Sequence, residues 1–179
     1  MTILAVYDHQ QLQLPDKVLT HREDIDPLLA DAGVTLEHLE QMPAIGKDDA
    51  DQAVVIALEP FLAHSPLASS LPCLRVHRLD ALPGYVDDGP HAVEQRFAQP
   101  VARLQVRGAG VICLHHGRQL LVLTCRRGDL LALPAQLPHW FVPSAGQPSL
   151  AVHAAESTQA LVAETTGDDI ARRYLVLEL

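Results

Sequence analysis

The sequence predicts a mainly β fold with flanking helices (α+β), its strands closed into a sandwich or barrel. Two observations predict it. From Ala102 to Ala155, short strand-like runs are separated by turn signals at 108–110 (GAG), 115–118 (HHGR), 126–129 (RRGD) and 144–147 (SAGQ). Short strands at that spacing are the pattern of an all-β sandwich or barrel. Ahead of them, two segments place apolar residues at helical spacing.

Taken in order, Thr2 to Asp8 alternates apolar residues and reads as a strand. Thr20-His21-Arg22-Glu23 has the form of a capping box, with Thr20 as N-cap and Glu23 at N3. Ile25, Leu28, Leu29 and Ala32 then recur at helical spacing, and Gly33 ends that helix. Val34 to Leu39 reads as a short strand. Asp48 to His64 reads as a second helix through Val54, Val55, Leu58, Phe61 and Leu62, ended by Pro66 and the serines after it. Leu74 to Leu79 is another strand. Residues 80–92 (DALPGYVDDGPHA) are Pro, Gly and Asp-rich loop. Ser157 to Tyr174 reads as two short helical pieces around Thr166-Gly167-Asp168-Asp169.

This division gives one domain over 1–179: an α/β part at 1–80, a barrel core at 93–156 and a helical segment at 157–179. The length suffices to bury a core. Hydrophobic residues make up 48% and aromatics only 4%, so Leu, Val and Ala must fill it. Net charge is −9, and the basic cluster Arg126-Arg127 is too short for a nucleic-acid patch, which argues against a nucleic-acid partner. No apolar run approaches the roughly 20 residues that span a bilayer, so no membrane partner is expected. Three cysteines without a CxxC argue against disulfides or structural zinc. The N-terminus lacks the features of a secretory signal, and a reducing cytoplasm is the expectation.

The segment Gly128 to His139 reads GDLLALPAQLPH. It closely matches the second motif of the cupin, or jelly-roll β-barrel, proteins, whose His is a metal ligand. The first cupin motif supplies a His-x-His pair and a Glu. Here the chain reads VEQRFAQPVARLQVRGAG. Four further pieces add to the likeness: Pro15 to His21, Gly108-Ala109-Gly110 with Cys113-Leu114-His115, Pro138-His139-Trp140-Phe141, and Thr166 to Ala171. In order and spacing the chain resembles the acireductone dioxygenases of methionine salvage, nearly end to end. That resemblance implies a cupin barrel, an Fe or Ni ion held by three His and one Glu, and an enediol-type ketone substrate. The metal of such an enzyme chelates the enediolate, and O₂ cleaves its carbon chain.

The resemblance carries only His139 over as a ligand. Gln95 and Phe97 stand at the two His positions and Val101 at the Glu position. An amide is a weak ligand for Fe or Ni, Phe and Val are none, and one imidazole holds a divalent ion poorly. No cofactor is therefore the expectation. Fe(II), Ni(II) or Zn(II) enters only through a rebuilt site of His139 and His153, with Gln95 or Glu94 nearby. His153 falls where the family has a substrate-contacting Arg. If the strands pair as in a cupin, both imidazoles point into the barrel.

Arg103 is carried over onto a family position that binds the enediolate anion. A cavity Arg needs an anion or a polar network. Gln105 lies two residues on. Of Trp140 and Phe141, strand alternation sends one inward and the other out. His91 reads as a solvated loop residue, and His115-His116 as a hairpin turn. Cys113 and Cys125 read as core, and Asp168-Asp169 as helix capping.

Three functions remain open. One is a repurposed enzyme that takes a small anionic or enediol-like molecule on Arg103, with His139 and His153 as acid–base groups. Its substrate contacts would be Arg103, Gln95, Phe97, Val101, Gln105 and Phe141, and it requires an open polar pocket. The second is a non-catalytic ligand-binding protein or partner subunit, plugged by Phe97 and Val101. The third is an oxygenase with a rebuilt ligand set. Oligomeric state cannot be read from the chain.

Overall fold

A computed structural model describes residues 1–80 and 93–174. Residues 81–92 of the expected loop, with His91, and residues 175–179 lie outside it. Among the described residues, twelve strands form two antiparallel sheets. The strands are β1 (Leu4–Asp8), β2 (Lys17–Leu19), β3 (Thr35–His38), β4 (Cys73–Leu79), β5 (Gln95–Phe97), β6 (Val101–Arg107), β7 (Gly110–His116), β8 (Gln119–Cys125), β9 (Asp129–Leu133), β10 (His139–Pro143), β11 (Ser149–Ala155) and β12 (Ala163–Thr165). One sheet runs β12-β5-β10-β7-β8-β1-β2 and the other β3-β9-β6-β11-β4.

Strand alternation explains the layering. In β1, β7 and β8 nearly every residue is apolar, because both faces of the seven-stranded sheet are covered. Leu4, Val6, Ile112, Leu114, Leu121 and Leu123 face the space between the sheets, joined there by Leu131, Leu133 and Phe141. Ala5, Tyr7, Cys113, Val122 and Trp140 face the other way. There they meet Ile170, Ala171 and Tyr174 of α3 (Ile170–Arg173) and its C-cap. Helix α2 (Asp51–His64) lays Val54, Leu58 and Leu62 on the outside of the five-stranded sheet, against Ala102, Leu104, Leu130 and Val152.

Helix α1 (Arg22–Asp31) adds Ile25 and Leu29 to the inner cluster. It begins one residue later than the capping box requires. Its N-cap is His21, with no side-chain cap bond, and Thr20 only reaches the His21 ring at 3.3 Å. Its C-terminus follows the glycine rule: Gly33 takes φ +74°, its N–H donates to Ala30, and Val34 N–H donates to Leu29. Helix α2 starts at Asp51 rather than Asp48, because Asp49 is spent accepting the Gly46 N–H.

Strands β2 and β12 are each three residues long at sheet edges, with no buried alternation to announce them. His115 and His116 are not a turn, as expected, but the last two residues of β7, paired with Leu120 and Gln119. The turn falls on Gly117, whose φ is +60°. Between the two expected helical pieces, a 3₁₀ turn at Gln159–Leu161 and α3, lies β12.

Candidate ligand site in the barrel

Cross-strand partners share a face, so the pairing register assembles the site. In the five-stranded sheet His153 lies opposite Arg103 on one side and Arg75 on the other. This sets a ladder Arg75–His153–Arg103 across β4, β11 and β6. In the seven-stranded sheet His139 lies opposite Gln95 and Leu114, and Phe141 opposite Ile112. Gln95, Phe97, Val101, Arg103, Gln105, His139, Phe141 and His153 thus all belong to the inner layer. Trp140, one residue from Phe141, packs outside, edge-on to Tyr174.

Arg103 is the centre of this layer and only 3% exposed. Its guanidinium carbon sits 4.0 Å from the centre of the Phe141 ring. Nη2 donates to Gln105 Oε1 at 2.8 Å, and Gln105 Nε2 donates to Ser149 Oγ at 2.8 Å and to the Arg107 carbonyl. Nη1 is buried and, among the described residues, has no hydrogen-bond partner. Burial lowers the guanidinium to about 10, and the Cys125 thiol is the one charge partner that resists this.

The imidazoles follow the same physics. His139 Nδ1 donates to the Leu137 carbonyl at 2.8 Å, which fixes the ring and leaves Nε2 free. Burial lowers its pKa, the Leu137 bond opposes this, and Arg103 lowers it further. His153 is pushed well below its ordinary value, first by burial and then by Arg103. It stacks on His77 at 5.4 Å. The Phe97 ring touches both imidazoles, at 5.5 Å from His139 and 5.7 Å from His153. Phe97 and Val101 pack with Ala155, Ala160 and Leu161.

Glu94, expected near the two imidazoles, turns to the opposite face, where His115 Nδ1 meets it at 2.8 Å. Cys113 and Cys125 are buried; burial raises the first thiol strongly and the second to about 12. Asp168, not Asp169, caps α3 through the Ile170 N–H at 2.8 Å. Arg75 and His77 were missed from the sequence. The signal was present, since β4 alternates Leu74 and Val76 toward α2 with Arg75 and His77 on the other face. Three surface cavities, of about 480, 440 and 550 Å³, are lined by none of the inner-layer residues.

Two face-to-face antiparallel sheets with a motif histidine and an arginine between them define a cupin barrel. The relatives narrow this to one family. An acireductone dioxygenase of Pseudomonas paraeruginosa is 31% identical over 194 residues, 99% of both chains. That of Stutzerimonas stutzeri is 29% identical over 191 residues, 97% of both. No family model matches the chain. A solved acireductone dioxygenase of Bacillus anthracis, with a cadmium ion in its active centre, matches the fold. Its TM-score is 0.68 over 92% of this chain and 98% of that one, at 13% identity. The chain belongs to the acireductone dioxygenase family.

At the positions that the resemblance gives to the ligands of an Fe or Ni ion, the inner layer offers Gln95, Phe97, Val101 and His139. The Phe97 ring lies against both imidazoles, and Val101 is 1% exposed in an apolar cluster. Among the described residues no carboxylate pairs with Arg103, whose charge also bears on both His139 and His153. A cation placed there would meet a guanidinium in low dielectric, while Glu94, whose charge bears on His139, has its carboxylate on His115 and Thr166.

Proposed function

We propose that this chain is a ligand-binding member of its family that holds a small anion against Arg103, in a barrel whose usual metal position is filled by Phe97 and Val101. The observation that carries this reading is the buried Nη1 of Arg103, which has no partner among the described residues. An uncompensated buried cation is strongly unfavourable, and an anion accepting from Nη1 removes the deficit. The ladder Arg75–His153–Arg103 adds positive potential on the same face. The close packing of Phe97, Val101 and Phe141 favours a binding role over turnover, since the enzyme reading requires an open pocket.

The test is calorimetric titration of the whole chain with oxalate, acetate and phosphate, paired with Arg103→Met. A saturable anion effect that vanishes in R103M is the expected result. Equal behaviour of the two proteins, or no binding, overturns the reading.

A second reading has its own support. His139 and His153 are held neutral beside Arg103, the form from which a general base takes a proton from an enediol-like substrate. Turnover of an enediol without added metal, abolished by H139Q and by H153Q, would favour it. The activity named for the relatives would appear as oxygen uptake with an enediol and Fe(II) or Ni(II). We expect none, because His139 is the one family ligand retained.

A further inference from the structure

The outer face of the seven-stranded sheet carries a second polar cluster, separate from the barrel interior. On β7, Ile112 and Leu114 point inward, so His115 points outward with Cys113. Glu94 precedes the inward Gln95 and turns outward too. Asp168 reaches over them from the segment ahead of α3. Glu94, His115 and Asp168 each offer one ligand atom, and the three atoms lie within 4.8 Å of one another. We propose that these three residues bind a divalent ion of the zinc class.

Glu94 is the anchor. It is 2% exposed, and among the described residues no Lys or Arg pairs with it. Its Oε1 accepts from Thr166 Oγ1 at 2.5 Å, and its Oε2 lies 2.8 Å from His115 Nδ1. A buried carboxylate calls for a positive partner, and the imidazole is the one it has. The spacing also suits an ion. Two ligands roughly 2.1 Å from a tetrahedral metal lie about 3.4 Å apart, little more than the 2.8 Å between Glu94 Oε2 and His115 Nδ1. An ion can therefore replace the shared proton after the two side chains part by roughly 0.6 Å.

Asp168 supplies a second carboxylate and is half-exposed, which leaves the ion open to water. A neutral imidazole with two carboxylates brings two negative charges, which a divalent ion balances and a single proton does not. Arg173 competes weakly, 3.9 Å from Asp168 but 2.8 Å from Asp169. A second imidazole stands beside the cluster: the His9 ring lies edge-on to His115, 5.9 Å between centres. One or two imidazoles with carboxylates suit zinc, nickel or iron rather than calcium or magnesium. Bound there, the ion would tie the Thr166–Asp168 segment, and α3 after it, to the sheet.

The test uses the full chain, stripped with a chelator, equilibrated with Zn(II), dialysed and assayed by elemental analysis and thermal unfolding. One zinc per chain and a zinc-dependent rise in unfolding temperature are expected. Glu94→Gln keeps an acceptor for Thr166, and Asp168→Asn alters a half-exposed side chain, so both are expected to fold. Each should weaken zinc binding more than tenfold, whereas His139→Gln should retain it. A parent chain that keeps no zinc overturns the proposal, as does zinc retained undiminished by E94Q and D168N. The anion reading is tested on R103M, so either proposal can fail without the other.

Discussion

The guanidinium of Arg103 stacks on the ring of Phe141 at 4.0 Å, while one of its two terminal nitrogens has no acceptor among the described residues. The cation–π contact and the Gln105 bond replace part of the hydration lost on burial, but not all of it. Arg103→Met keeps much of the volume and removes the charge. In anion-free buffer we expect urea unfolding to show R103M as stable as the parent or more so by about 1–3 kcal/mol. A loss above about 2 kcal/mol would show the Gln105–Ser149 network to be worth more than the burial of the charge costs.

The inner histidines set an acid limit on stability. The folded-state pKa values of His139 and His153 are depressed, chiefly by burial. Above the unfolded value near 6.5 both are neutral in both states and cost nothing. As pH falls below it, the unfolded chain takes up protons that the folded chain refuses, and stability drops. His115 works in reverse: its raised pKa gives stabilisation that is full below the unfolded value and lost as pH rises through the folded one. Denaturant midpoints measured from pH 8 to pH 5 should therefore fall less steeply in His153→Phe. Each histidine contributes a slope of at most about 1.4 kcal/mol per pH unit.

Much of the barrel was legible in the sequence because its turns are marked by glycine and its strands are apolar on both faces. The site was legible only in part. Arg103, His139 and Phe141 were reached through the family motif, and alternation placed them on one face. The Glu94–His115 pair was not, since those residues lie 21 apart in sequence and meet only through the pairing of β10 with β5 and β7. The capping box misled because Thr20 Oγ1 turns to the His21 ring rather than to a backbone N–H, and the helix begins one residue later, at Arg22.

Glycine at 128 opens the motif strand with φ +93°, and a Cβ there would lie 2.6 Å from the Leu39 carbonyl oxygen and 3.0 Å from the His38 ring. Gly117 also has positive φ, but a Cβ there would meet nothing within 4 Å. Gly128→Ala is expected to cost about 2–4 kcal/mol by adding a backbone clash to the conformational strain. Gly117→Ala carries the strain alone, about 1–2 kcal/mol. Equal losses in chemical denaturation would mean that the loop at Leu39 yields freely.

Writing the family's ligands back into the barrel tests the assignment of positions directly. The triple variant Gln95→His, Phe97→His, Val101→Glu places three donors beside His139 on the inner layer. Without metal it should be markedly less stable than the parent, by about 3 kcal/mol or more. The Val101→Glu change puts a carboxylate where the native side chain is 1% exposed among apolar neighbours, and loss of the Phe97 ring would open a cavity. With Ni(II) or Fe(II) the stability should return, because three imidazoles and a carboxylate complete the set that such ions prefer. Elemental analysis should then find one metal ion per chain more than the parent retains under the same conditions. An unchanged metal content in a folded triple variant would mean that Gln95, Phe97 and Val101 do not occupy the ligand positions of the barrel.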